Sequence, residues 1–280
     1  MKLVLHPKTS IQLENLRVNA PHAVLITGEK GIGKSAVATS IAENYFSKTA
    51  DYTQHVKTYS AKDKEFGVET VNQIQKFLKT KHSHTEIVSK LVIIDDAHEL
   101  SIQAQNMILK TLEEPSLGSM LILCVPNKNM VIKTIVSRCQ VINLIPPSKN
   151  DVLDFFSGQK IQLGELESAY KMSGGLPGLM HAILCKENHP LITATDVAKQ
   201  LLTSSHFDKL CLIETLAKDK DLLTNVTFML QQISHSAILS AESKQALKWS
   251  KVLDASYRAD EMLSKNVSSK LVCDKLMLSL

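Results

Sequence analysis

Two kinds of hydrophobic pattern alternate through the first half of the chain. Short apolar runs at residues 23–26, about 55–60, 91–94, 120–125 and 140–144 have the length and composition of strands buried in a sheet. Between them the spacing changes to that of a helix. Over 68–78, Val71, Ile74, Phe77 and Leu78 recur at helical intervals. Over 102–112, Ala104, Ile108, Leu109 and Leu112 fall near one face until Pro115 stops the pattern. Strands alternating with helices predict parallel βαβ units and an α/β fold.

Beyond Pro146-Pro147-Ser148 the strand signals vanish. Residues 151–156, 163–171 and 177–185 predict three short helices, interrupted by Gly158 and the Ser173-Gly174-Gly175 turn. A second break lies at Asn188-His189-Pro190, and from there to Leu280 the chain is helical in pattern and free of glycine. The expected domains are therefore 1–146, 147–189 and 190–280.

Composition excludes several classes without choosing one. No stretch approaches the ~18 apolar residues of a membrane span, so no membrane partner is expected. The opening Met1-Lys2-Leu3-Val4-Leu5-His6-Pro7 is too short an apolar run for a secretory signal, and a cytoplasmic location is the expectation. Five cysteines (Cys124, Cys139, Cys185, Cys211, Cys273) are scattered with no C-x-x-C pair, a reduced, intracellular pattern. The ten histidines show no ligand clustering, and His82 and His84 flank Ser83 in a polar, loop-like stretch. No metal is expected beyond Mg²⁺ carried by a nucleotide. The formal charge is +4, with 17 Lys and Arg against 13 Asp and Glu over residues 1–145 and 15 against 15 thereafter. That excess permits a phosphate-backbone contact without arguing for one.

The strongest chemical signal is Gly28-Glu29-Lys30-Gly31-Ile32-Gly33-Lys34-Ser35, which fills G-x-x-x-x-G-K-[ST] at every fixed position. Its context is right, since strand-type Ala23-Val24-Leu25-Ile26-Thr27 precedes it and helix-type Ala36-Val37-Ala38-Thr39-Ser40-Ile41-Ala42 follows. Glycines let backbone N–H groups turn inward on phosphate oxygens, and the helix N-terminus adds free donors and a favourable dipole. Lys34 is expected on the β/γ-phosphates and Ser35 on Mg²⁺ of a bound nucleoside triphosphate.

Leu91-Val92-Ile93-Ile94-Asp95-Asp96 is an apolar strand ending in two carboxylates, the Walker B arrangement. Asp95 is expected to hold Mg²⁺ through water and Asp96 to orient or deprotonate the attacking water. Aspartate is shorter than the glutamate more usual at that second place. Ser137-Arg138-Cys139 precedes the last strand; a surface arginine is the ordinary reading, though the planar guanidinium also suits a γ-phosphate offered by a neighbouring subunit.

The run Asp95-Asp96-Ala97-His98-Glu99-Leu100, the string Ala104-Gln105-Asn106-Met107-Ile108-Leu109-Lys110-Thr111-Leu112-Glu113-Glu114-Pro115 and the later Ser137-Arg138-Cys139 together resemble subunits of the bacterial DNA polymerase III clamp loader. The resemblance spans most of the chain. It implies an AAA+ P-loop NTPase module on a parallel sheet, a small three-helix lid over 147–189 and an all-α collar over 190–280 through which five subunits assemble. It also implies ATP and Mg²⁺ as ligands, a sliding clamp as client, and primed DNA met only within the complex.

Two subunit types compete. The motor subunit carries a four-cysteine zinc module, yet residues 36–90 contain no cysteine. Its second sensor is an arginine in a Gly-Ser-Leu-Arg turn, where this chain has Gly175-Leu176-Pro177-Gly178. The first sensor falls in Cys124-Val125-Pro126-Asn127, where Asn127 is the suitable side chain. The resemblance is therefore to the delta-prime type, with Arg138 serving in trans as an arginine finger. Alternatives are a motor without the zinc module, or another AAA+ ATPase such as a branch-migration helicase or initiator. The latter class needs a DNA-reading module, and the balanced charge of residues 190–280 offers none.

Overall fold

The computed structural model describes residues 2–46, 52–60, 67–80, 87–158, 161–187, 189–240 and 242–279. The His82 and His84 pair lies outside the described residues. The chain divides into two compact units, with the boundary between Asp151 and Val152.

The first unit opens with a helix that the hydrophobic pattern does not announce. α1 (Pro7–Val18) buries Leu16, whereas Ile11 and Val18 stay exposed. It starts because Pro7 occupies the first turn and His6 caps it, Nδ1 accepting from the Lys8 N–H at 3.2 Å. There follow β1 (Ala23–Thr27), α2 (Lys34–Phe46), β2 (Val56–Tyr59), α3 (Val68–Lys79), β3 (Lys90–Ile94), α4 (Ile102–Glu113), β4 (Ser119–Val125), α5 (Lys133–Val136) and β5 (Gln140–Asn143). All five expected strands are present, in one parallel sheet of order β2-β3-β4-β1-β5.

That order explains the apolar patterns. The inner strands β1, β3 and β4 are buried almost throughout, as strands covered on both faces must be. The edge strand β2 exposes Lys57 and Thr58, and β5 exposes Gln140 and Asn143. α3 turns Val71, Ile74, Phe77 and Leu78 inward, while α4 turns in Ala104, Gln105, Ile108 and Leu112. Leu109 is only partly buried at the margin of this core.

The boundary between the units falls within α6 (Lys149–Ser157). The second unit continues with α7 (Leu163–Ser173), α8 (Pro177–Leu184), α9 (Pro190–Thr203), α10 (His206–Leu216), α11 (Lys220–Ser240), α12 (Ser243–Ser264) and α13 (Ser269–Ser279). α11 packs against α12, α9 and α7. Its buried stripe is Leu223, Val226, Met229 and Leu230, and that of α12 is Val252, Ala255, Ala259 and Leu263. Beyond α8 the chain starts and stops its helices without glycine. Asn266 takes a left-handed φ of 56° after α12, Ser205 caps α10 by accepting from Asp208 N–H at 3.3 Å, and the Asp219 carboxylate accepts from Leu222 N–H at 2.9 Å near the start of α11.

Candidate nucleotide-binding site

β1 delivers the chain to the loop at Gly28, and α2 begins at Lys34. Gly31 and Gly33 have φ of 88° and 101°, a region that side chains penalise. Gly28 is needed for space as well, because a Cβ there would lie 3.0 Å from Leu144 Cβ and 3.2 Å from Ile32 Cγ2. The loop's course is held by backbone as well, with Gly28 N–H donating to the Pro126 carbonyl at 3.2 Å and Ile32 N–H to the Glu29 carbonyl at 3.3 Å.

Lys34 is buried and folds back over the loop, its Nζ donating to the Gly28 carbonyl at 2.9 Å and the Glu29 carbonyl at 3.0 Å. Burial pushes its pKa below the ordinary lysine value, while Cys124, Asp96 and Asp95 pull the other way. Beside it the Ser35 hydroxyl donates to Asp95 Oδ2. Asp95 is fixed because its own N–H donates to the Tyr59 carbonyl at 2.8 Å, prolonging the pairing of β3 with β2. Two hard oxygen donors, one from the loop helix and one from the end of β3, therefore lie side by side, a donor type that suits Mg²⁺. The residues present fit a nucleotide with its metal.

Asp96 follows in the left-handed region at φ 51°, a conformation that aspartate tolerates better than most residues. Its N–H donates to Asp95 Oδ1 at 3.2 Å, and a short 3₁₀ turn, Ala97–Glu99, begins there. His98 in that turn has a buried Nδ1 with no partner among the described residues, and its Nε2 lies 3.2 Å from Glu99 Oε1. Burial holds its pKa below the ordinary imidazole value; Glu99 and Asp96 oppose this, while Lys30 and Lys34 reinforce it.

Arg138 stands just beyond α5, away from this cluster in its bonding. Its guanidinium pairs with Glu113 Oε1 at 2.8 Å and donates to the Thr134 carbonyl at 3.0 Å, remaining about a third exposed, at 35%. A surface position was expected; the ion pair to the end of α4 is the addition. Asn127, expected at a sensor position, uses its side-chain oxygen to accept from Asn129 N–H at 3.0 Å.

Gln105 is a connection that sequence reading passes over. Buried in α4, its Nε2 donates to the Leu100 carbonyl at 2.9 Å and its Oε1 accepts from Ile132 N–H at 3.1 Å. It thereby joins the segment after the two carboxylates to the segment that leads into Arg138. The available signal was a polar residue within the apolar stripe of α4.

A phosphate loop on β1, a carboxylate pair ending β3, and β4 lying between those two strands define a P-loop NTPase of the AAA+ class. Residues 7–148 match the family model described as DNA polymerase III, delta subunit, and the chain belongs to that family. It is similar to the replication factor C small subunit of Staphylothermus marinus, 27% identical over 164 residues that cover 56% of this chain and 48% of the relative. It is also similar to DNA polymerase III subunit delta' of Haemophilus influenzae, 25% identical over 174 residues covering 56% and 53%. Replication factor C subunit 4 of Saccharomyces cerevisiae is 25% identical over 273 residues, covering 84% and 81%. Against the first two the chain spans about half of the relative's length. Among solved structures, a DNA polymerase III gamma subunit-related protein of Thermotoga maritima superposes with a TM-score of 0.58 at 17% identity, covering 96% of this chain and 97% of that one. That likeness is one of fold.

Proposed function

We propose that this chain is an ATP-binding, delta-prime-like subunit of a replicative clamp loader. In this reading residues 1–146 bind nucleotide, 147–189 form the lid, and 190–280 form the collar that joins the other subunits. The observation that carries the reading is the pairing of a fully built phosphate loop, with Ser35 already on Asp95, with an Arg138 that, among the described residues, is tied to Glu113, Thr134 and Ser137. Such an arginine is free of its own chain's loop and suited to a neighbour's.

In this chain's own site Gly28 and Ile32 hold the loop's shape through their own carbonyl partners, the N–H groups of Glu29, Lys30, Gly31 and Gly33 would donate to phosphate oxygens, and Lys34 would exchange its two carbonyl partners for the β/γ-phosphates. Ser35 and Asp95 would hold Mg²⁺, which neutralises phosphate charge when bound with the nucleotide. Asp96 would orient or deprotonate the attacking water. Its short side chain, and Gly178 where the motor subunit has an arginine, support weak or assembly-dependent turnover. Arg138 acts on the adjacent subunit's ATP. The complete loop with both carboxylates favours one second reading, a hydrolysing motor without a zinc module.

Assembly tests the proposal. This chain, mixed with motor subunit, sliding clamp and ATP, should co-elute on gel filtration as a hetero-oligomer and support clamp loading on primed DNA in the cytoplasmic replication machinery. Failure to join such a complex, combined with tight DNA binding by the chain alone, would move it to the helicase or initiator class.

A further inference from the structure

The end of α8, in the second unit, gathers three side chains that the nucleotide chemistry does not use. His181 and Cys185 stand four residues apart, so they share one face of the helix. His181 Nε2 lies 3.6 Å from Cys185 Sγ. Zinc in a tetrahedral site, with ordinary Zn–N and Zn–S bonds, holds such a pair about 3.6 Å apart. Both ligand atoms are therefore already at chelating distance.

The third side chain arrives through the helix stop. Lys186 adopts φ 52°, a left-handed conformation that costs a non-glycine residue energy. It lets Lys186 N–H donate to the Ile183 carbonyl at 3.3 Å and Glu187 N–H to the Ala182 carbonyl at 3.0 Å, a Schellman-type closure. The chain thus doubles back and puts Glu187 Oε1 3.5 Å from His181 Nδ1. A carboxylate there favours the proton on Nδ1 and leaves the Nε2 lone pair toward Cys185, the usual arrangement behind a metal-bound histidine. One ligand atom from each of the three lies within 4.8 Å of the others. Phe156 flanks the imidazole, its ring centroid 6.5 Å away. Sequence inspection of histidines and cysteines taken separately misses this mixed His-x₃-Cys spacing.

We infer that His181 Nε2 and Cys185 Sγ chelate a borderline divalent cation of the zinc class at the surface, with Glu187 as the positioning residue for the imidazole. Water fills the remaining coordination positions. On binding, the Cys185 thiol gives its proton to solvent and the thiolate bonds the metal, while His181 binds neutral. Affinity therefore falls as pH drops. The site is separate from the Mg²⁺ expected with nucleotide, whose ligands are oxygens.

The test is Co²⁺ titration of the metal-stripped full chain, followed by competition with Zn²⁺. Wild type should develop a thiolate-to-cobalt charge-transfer band with tetrahedral visible absorption, displaced by one equivalent of Zn²⁺. Cys185→Ser should abolish the band. His181→Gln should weaken Zn²⁺ binding at least tenfold, and Glu187→Gln should keep the band but bind about 10–100-fold more weakly. Cys211→Ser, removing another exposed thiol, should change nothing. Each variant should keep the far-UV circular dichroism and melting temperature of the metal-free wild type, which certifies the fold. In wild type, Zn²⁺ should slow maleimide labelling of Cys185 at least tenfold while leaving Cys211 unprotected, a readout that needs no variant. No charge-transfer band in wild type, a band that survives in Cys185→Ser, or equal protection of Cys211 would overturn the proposal.

Discussion

Lys34 sets the scale of what a single side chain contributes at the phosphate loop. Its ammonium is buried and bonded to two loop carbonyls, so it is pre-positioned for the β/γ-phosphates. Lys34→Ala removes a charge-assisted contact worth about 1.5–3 kcal/mol. Titration with a fluorescent ATP analogue should show at least roughly tenfold weaker binding, and equal affinities would reduce the loop to scaffold. His98 makes a prediction about pH. Its folded pKa is lowered from 6.5 by burial, so below that value the unfolded chain takes up a proton that the folded chain resists. Its contribution to stability is full above about pH 6.5 and is lost as pH falls through the lowered folded value. Urea midpoints should therefore decline less between pH 7 and pH 5 in His98→Gln than in wild type. Parallel declines would place the acid sensitivity elsewhere. The loop and Asp95 were legible in the sequence because a contiguous motif dictates local geometry. The Glu113 partner of Arg138 and the burial of His98 were not, because each depends on segments brought together only by folding.

Among the elements, the strands and the helices α3 and α4 were readable because burial imposes a periodic apolar pattern on them. α1 was not, since Ile11 and Val18 face solvent and its start rests on a histidine cap and a proline. α4 carries the least legible and most consequential feature, Gln105, which ties the turn after Asp95 and Asp96 to the lead-in of Arg138. Gln105→Ala leaves the Leu100 carbonyl and the Ile132 N–H without these partners, which should destabilise the protein by about 1–3 kcal/mol. Chemical denaturation would measure it, and a loss within ~0.5 kcal/mol, as for an ordinary surface change, would mean that water replaces the amide on both sides.

For the whole molecule, the proposed role assigns the chemistry to an assembly more than to the isolated chain. The net charge of +4 is small, so the chain alone should bind primed DNA no more tightly than the roughly 10⁻⁴–10⁻⁶ M typical of non-specific contact at physiological salt. Nanomolar specific binding would favour the initiator or helicase class. Its own turnover should likewise be slow. Single-turnover hydrolysis at about 1 s⁻¹ or faster, the range of working phosphoryl-transfer enzymes, would promote the motor reading. The central claim is that Arg138 works on a neighbour's nucleotide. Its ion pair with Glu113 is half-exposed on the carboxylate side, at 49%, and such surface pairs contribute about 0–1 kcal/mol. Arg138→Ala should therefore nearly preserve the melting temperature and this chain's own nucleotide affinity. The decisive measurement is DNA-stimulated ATP hydrolysis by complexes of wild-type motor subunit with either wild-type or Arg138→Ala chain. Fingers of this kind contribute about 10³–10⁵ in rate at the site they serve, so the variant complex should lose turnover there while other sites keep their own arginines. An unchanged rate in an intact complex, or a variant that unfolds, would contradict the account.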